Sequence, residues 1–145
     1  NDNQNLTLRQ SYVGPDISKQ GIGLLNWFMG QEGSISGWTG AMWSGMTTLE
    51  LAKAIEACSR SGYAGLINMV PPGSGISKYD LLQLFNCHIR RVPIEIVPDS
   101  HFVCDKVLTS AREDSPYTPS DYERQVVELA EWIRGHRMLY PHYDC

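Results

Sequence analysis

Residues 47–97 read TTLELAKAIEACSRSGYAGLINMVPPGSGISKYDLLQLFNCHIRRVPIEIV, and the punctuation of that stretch decides the fold. Thr47, Thr48, Leu49 and Glu50 spell a capping box, in which the cap hydroxyl accepts an orphan helix N–H and the glutamate reaches back to the cap. A helix to about Arg60 follows, with Leu51, Ala52, Ile55 and Cys58 on one face. Gly62 is placed to end it. Gly65 to Val70 is a short apolar run, the pattern of a buried strand, and 71–75 is a Pro/Gly loop. Ser77 to Asp80 is a looser capping box. The helix behind it carries a stripe of Leu81, Leu82, Phe85 and Ile89. Pro93 breaks the chain, and Ile94 to Val97 reads as a strand closed by Pro98 and Asp99. Helices alternating with strands predict an α/β fold with at least partly parallel pairing.

The pattern continues outward on both sides. Leu6 to Val13 alternates and is β-rich until Gly14 and Pro15 stop it. Gly21 to Gln31 places Leu24, Leu25, Phe28 and Met29 at helical spacing, with Gly30 near the end. Residues 33–46, GSISGWTGAMWSGM, hold four glycines and two tryptophans. That is too glycine-rich for one regular element, so a short strand from Ser34 to Trp38 and then a structured loop are expected. Beyond the central stretch, Ser120 and Glu123 form a third box behind Pro119. Tyr122, Val126, Leu129, Ala130 and Ile133 make the buried face of the last helix, Gly135 ends it, and Met138 to Cys145 reads as a tail. Asn1 to Asn5 is polar, a frayed end or an inter-element loop.

The chain's 145 residues make one domain's worth of sequence, 1–145, able to bury roughly two thirds of its unfolded surface. Only three or four short strands are visible, and a parallel sheet that small needs more strands to cover its edges. Part of the fold is therefore expected outside this chain. A first residue of Asn points the same way. Apolar residues at 42% and charged residues at 19% are ordinary globular values. A net charge of −4 and a pI near 5.5 argue against a nucleic-acid partner. Arg90 and Arg91, the densest basic pair, read as a solvated helix end. No apolar run approaches the roughly 18 residues of a membrane span, and no signal peptide is visible. Cys58, Cys87, Cys104 and Cys145 form no metal-ligand spacing, and the first two fall in helical patterns. This cysteine usage suggests a reducing compartment, hence the cytoplasm.

Signals for chemistry are sparse. Gly21 and Gly23 begin a glycine fingerprint, but Asn26 stands where its third glycine is required, and no strand runs into it. His88, His101, His136 and His142 are scattered, His136 and His142 in a solvated end, so neither a metal nor a nucleophile triad is expected. Glu113 and Asp114 precede a turn, and Glu123 serves as a cap. Trp38 and Trp43 stand out, because large aromatics in a glycine-rich loop cover either core or ligand. Thr39, Ser44 and Thr47 add hydroxyls, which together suit a ligand with hydroxyls and flat apolar faces. Arg9 in a β-rich segment binds an anion or pairs with a carboxylate of the missing part. Arg112 is a surface charge or a diphosphate clamp.

Several segments share an order with one family. Leu8-Arg9-Gln10-Ser11-Tyr12-Val13-Gly14-Pro15 resembles the strand-to-loop segment of extended short-chain dehydrogenase/reductases acting on nucleotide sugars. Gly23 to Met29, then Gly37 to Lys53, resembles the branch related to dTDP-4-dehydrorhamnose reductase. Ile76 to Leu82, Asp105 to Ser110, and a last helix with Glu128, Leu129 and Trp132 continue it, so that most of 6–134 is covered. The resemblance implies the C-terminal substrate-binding part of a Rossmann-like NAD(P)-dependent reductase, with a small, mostly parallel sheet and flanking helices. It implies a nucleotide-sugar ligand, NAD or NADP bound mainly by the missing part, no metal, a possible homo-oligomer and a role in polysaccharide biosynthesis. An epimerase or dehydratase fragment, or a stand-alone non-catalytic binding module, are the alternatives. In that family a Tyr-x-x-x-Lys pair does the chemistry. None of the seven tyrosines here has a lysine four residues on. The pair and the fingerprint are thus expected upstream of Asn1, and this chain is not expected to be active alone. On the matching segments Arg9, Trp38, Trp43 and Thr47 are the substrate-binding candidates, with Arg112 added from its fork.

Overall fold

The computed structural model describes residues 5–145; Asn1 to Gln4 of the polar opening lie outside it. Among the described residues four helices, α1 (Leu24–Met29), α2 (Thr48–Ser61), α3 (Lys78–His88) and α4 (Tyr122–Gly135), flank three small sheets. β1 (Leu6–Arg9) runs parallel to β5 (Gly65–Asn68), and β2 (Tyr12–Val13) parallel to β4 (Met46–Thr47). β3 (Ser34–Trp43) is the centre of the third sheet, parallel to β7 (Glu95–Lys106) and antiparallel to β6 (Ile76–Ser77). The pairing is thus mostly parallel, as the alternation of elements predicts.

Helix faces bury as the periodicity requires. Leu81, Leu82, Phe85 and Ile89 of α3 meet Val126, Leu129, Ala130 and Ile133 of α4, and Leu25 and Phe28 of α1 close the cluster. A smaller cluster of Met46, Ala54, Cys58, Ile67 and Met69 lies between α2 and the β1–β5 pair. The face of α2 is rotated from expectation: Glu50, Ala54 and Cys58 are buried, whereas Ala52 and Ile55 are exposed.

The glycine-rich stretch differs most from the sequence reading. It is one ten-residue strand, not a short strand and a loop. Its glycines serve close packing. A Cβ on Gly37 would come within 2.8 Å of the Tyr79 ring and 2.9 Å of Ile96, and one on Gly40 within 2.9 Å of Val103. They let α3 and β7 approach the strand, a use of glycine that a propensity count cannot register. β7 likewise runs through Pro98, where closure was expected. It has β3 on one side only, and an edge strand tolerates a residue without an N–H. Its register shifts between Trp38 and Gly40, so Ser100 to Phe102 bulge opposite Thr39.

Other boundaries move for local reasons. The β-rich run 6–13 is two strands, because the chain leaves β5 after Arg9 and joins β4 at Tyr12. α1 starts only at Leu24, since Asn26 ties back the carbonyls of Lys19 and Gly21. The last helix is capped by Asp121, whose carboxylate accepts the Arg124 N–H at 2.9 Å, not by Ser120 with Glu123. Arg90 is no solvated end: its guanidinium donates to the carbonyls of Phe28 and Gln31. Nor is 138–145 merely a tail. Tyr140 and Tyr143 join the main core, and the Tyr143 hydroxyl accepts the Asp16 N–H at 2.9 Å.

That anchor has a pH signature. Burial pushes the Tyr143 phenol up to about 12, and that of Tyr122 to about 12 as well. Unfolded, each ionises near 10. The unfolded chain therefore sheds these protons first, so the tyrosines' contribution to stability is full below about pH 10 and is lost as pH rises toward about 12. Urea midpoints across that range should fall in the wild type and fall less in Tyr143→Phe.

Candidate functional site

The carboxyl ends of four parallel strands converge. Arg9 at the end of β1 accepts the Met69 N–H beyond β5, and Ser11 accepts the Met46 N–H at 2.9 Å. After β7, the Leu108 N–H donates to the Ser44 hydroxyl at 2.7 Å, and the Asn68 amide donates to the Thr109 carbonyl at 2.7 Å. Open α/β sheets bind ligands outside such ends, where loops diverge from the sheet. Two clefts open there. One of about 300 Å³ has an apolar wall of Ile67, Met69, Val70 and Leu108 under a polar rim of Asn68, Thr109, Ser110, Arg112 and Ser115, the rim that makes it the polar cleft. An aromatic one of about 290 Å³ is bordered by Ser11, Trp38, Trp43, Lys78, Phe102 and Lys106. The second adjoins an apolar hollow of about 480 Å³ along Leu24, Trp27, Ile35 and Leu82, with Trp38 and Lys78 common to both.

The sequence candidates divide between these clefts. Arg9 is exposed, and its Nε donates to the Asn68 side chain at 2.8 Å, which puts it at the polar cleft through Asn68. Arg112 borders the same cleft with its fork already filled: Nε and Nη2 donate to Asp114 at 2.9 and 2.5 Å, and Nη1 to the Ala64 carbonyl. The guanidinium also lies 4.2 Å from the Tyr63 ring centroid and holds the Asp114 carboxyl below its ordinary value. Trp38 is 45% exposed and lies between the aromatic cleft and the hollow, its ring centroid 4.5 Å from that of Phe102 with the planes tilted by 39°. Trp43 is 6% exposed and belongs to the core, with one edge on the cleft. Thr47 borders neither cleft. It is buried, its hydroxyl accepts the Glu50 N–H at 3.2 Å, and its N–H donates to Gln125. Thr47→Ala is accordingly expected to cost about 1 kcal/mol, the usual size of a lost cap, read as a lower urea midpoint.

Sequence reasoning missed Lys78, Lys106, Asn68 and Phe102. Lys78 carried a signal. It is the first residue of α3, where a cation opposes the helix dipole. Its Nζ lies 5.1 Å from the Trp43 ring centroid, and burial, then Lys106, holds its amine below the ordinary lysine value. Gly21 and Gly23 do not form a dinucleotide cradle. They wrap the carboxylate of Asp16, which accepts the Gly23 N–H at 3.1 Å and occupies the space an anion would need. Among the described residues no group of three or more His, Cys, Asp and Glu is placed to hold a metal ion.

No family model matches the sequence, and no curated protein matches it significantly. Solved structures do match. The UDP-N-acetylglucosamine 4-epimerase of Methanobrevibacter ruminantium M1, in complex with UDP-N-acetylmuramic acid, matches with a TM-score of 0.60 at 17% identity, over 87% of this chain and 44% of that one. The dTDP-4-dehydrorhamnose reductase of Yersinia enterocolitica matches with a TM-score of 0.60 at 16% identity, over 87% and 48%. The Bacillus anthracis dTDP-4-dehydrorhamnose reductase, in complex with NADP, gives 0.57 at 11%, over 81% and 44%. The chain spans less than half the length of the structures it matches, and it has the α/β fold of one part of these Rossmann-like reductases and epimerases.

Proposed function

We propose that this chain is the nucleotide-sugar-recognising part of an NAD(P)-dependent oxidoreductase of the dTDP-4-dehydrorhamnose reductase kind. A cofactor-binding part carrying the glycine fingerprint and the Tyr/Lys pair completes it. The observation that carries this reading is the match of most of the chain to under half of the chains of two dTDP-4-dehydrorhamnose reductases. Three further features support it. β1 and β5 form a parallel pair of only two strands, which calls for neighbours from elsewhere. The clefts lie at strand carboxyl ends, on the side where such folds take ligands. The hollow beside Trp38 suits a flat base, and the hydroxyls of Thr109, Ser110 and Ser115 suit a sugar. Trp38, Trp43 and Arg112 border this region, Arg9 reaches it through Asn68, and Thr47 lies outside it as the cap of α2. Four free cysteines accord with a cytoplasmic enzyme of polysaccharide biosynthesis, and open strand edges with self-association.

Titration calorimetry of the intact protein with UDP-N-acetylglucosamine and a dTDP-hexose, with and without NADPH, tests the reading. Binding heat with at least one nucleotide sugar is expected; none at millimolar ligand would sink it. An epimerase rather than a reductase is the second reading, favoured by the equal fit to the Methanobrevibacter enzyme. Net NADPH consumption with a keto-sugar nucleotide separates the two, because an epimerase returns its hydride.

A further inference from the structure

We propose that Lys78 and Lys106 form a diphosphate-binding site in the aromatic cleft between Trp38, Trp43 and Phe102. The proposal deepens the nucleotide-sugar reading and rests on it for the choice of ligand.

The cleft concentrates positive charge that the chain does not neutralise. Among the described residues neither ammonium has a carboxylate within ion-pair distance, while five other lysines and arginines do. The acids nearest in sequence accept other hydrogen bonds. Asp80 accepts the Ser77 hydroxyl at 2.6 Å, and Asp105 accepts the Val107 N–H at 2.9 Å. Lys78 is partly buried against Trp43, feels Lys106 as a like charge and opposes the dipole of α3. All three effects disfavour the fold as it stands, in a chain whose net charge is −4. An anion seated between the two lysines offsets all three at once. The cleft opens at the carboxyl ends of β3 and β7, between the apolar hollow and the loop that leads to the polar cleft. That order, apolar then cationic then hydroxylic, matches base, diphosphate and sugar. Arg112, the clamp suggested by sequence, is a poorer anion ligand because Asp114 already fills its fork.

A diphosphate could belong to a nucleotide sugar or to the dinucleotide cofactor, so the test has an arm for each. Inorganic pyrophosphate, UDP and NADP⁺ are titrated into the intact protein by calorimetry. Lys78→Gln, Lys106→Gln, Lys78→Arg and the distant control Arg60→Gln are compared with wild type. Lys78→Gln should weaken UDP and pyrophosphate about tenfold or more, the size of one charge-assisted hydrogen bond. Lys106→Gln should weaken them less, Lys78→Arg should largely restore binding, and Arg60→Gln should change nothing. Lys78→Gln should also melt no lower than wild type, since it removes an unpaired charge and no structural bond. UDP lost with NADP⁺ retained assigns the site to the nucleotide sugar; the converse assigns it to the cofactor. Wild-type affinity for all three probes in Lys78→Gln overturns the site, and so does no binding of any probe to the wild type. Pyrophosphate bound through Lys78 without any nucleotide-sugar binding would sink the functional reading alone. Nucleotide-sugar binding indifferent to both lysines would sink the site alone.

Discussion

Replacing Glu50 with alanine should cost the fold about 3 kcal/mol, as a loss of buried charge-assisted hydrogen bonds does. The side chain is 1% exposed, in the first turn of α2. The sequence pattern assigns it to a capping box, reaching back to its own helix. The structure sends it elsewhere. One carboxylate oxygen accepts the Tyr117 hydroxyl at 2.9 Å and the Ser120 N–H at 2.6 Å, and the other lies 3.5 Å from Lys53. Lys53 also bonds Glu128 of α4. Glu50 thus ties three pieces together: α2, α4 and the segment 107–120. That segment borders the polar cleft, and within the described residues it makes no backbone-to-backbone hydrogen bond. It is held by side chains, from Ser44, Asn68, Arg112 and Glu50. Removing Glu50 strands two part-buried donors, the Tyr117 hydroxyl and the Ser120 N–H, while Lys53 keeps Glu128; Glu50→Gln keeps a carbonyl acceptor and should lose less. Urea denaturation measures both; a loss under about 1 kcal/mol in Glu50→Ala would remove the tie from the account.

Gly75→Ala should be at least as damaging, about 3 kcal/mol or more, because two penalties coincide. The residue has φ +79°, where a side chain is strained by about 1 kcal/mol or more. Its Cβ would also come within 2.5 Å of the Trp43 carbonyl oxygen and 2.9 Å of Val107. Backbone oxygen cannot swing aside as a side chain can, so the end of β3 must move, and Trp43 and its cleft with it. Gly73→Ala is the internal comparison. It also has positive φ, +105°, but nothing within 4 Å of its added Cβ, so it should pay the conformational penalty alone. The difference between the two denaturation midpoints isolates the contact. Equal losses would contradict the packing described here.

These cases also mark where the sequence is legible. Amphipathic stripes and caps are local: α3, Thr47, Ser77 and the left-handed Gly62 stand where periodicity and capping put them, and α4 buries its expected face although its cap is Asp121. Long-range satisfaction is not local. Gly37, Gly40 and Gly75 look like loop formers until the atoms they admit are known, and these come from Tyr79, Val103 and Trp43, tens of residues distant. Glu50 meets Tyr117 across 67 positions. For the candidate site, Trp38 and the Arg112 segment were legible as oddities of composition. Their division between two clefts, the Asp114 in the fork of Arg112 and the convergence of Lys78 with Lys106 follow from topology. A lysine opening a helix was the one visible hint.

The proposed recognition of a nucleotide sugar at the carboxyl ends of the strands has one direct test. Hydrogen exchange of the intact protein, with and without saturating UDP-N-acetylglucosamine, reads it directly. Slowed exchange is expected in residues 36–43, 76–82 and 102–112, with α2 and the 138–145 segment unchanged. Bound ligand that leaves those three segments unprotected, or protects only regions outside this chain, would contradict it.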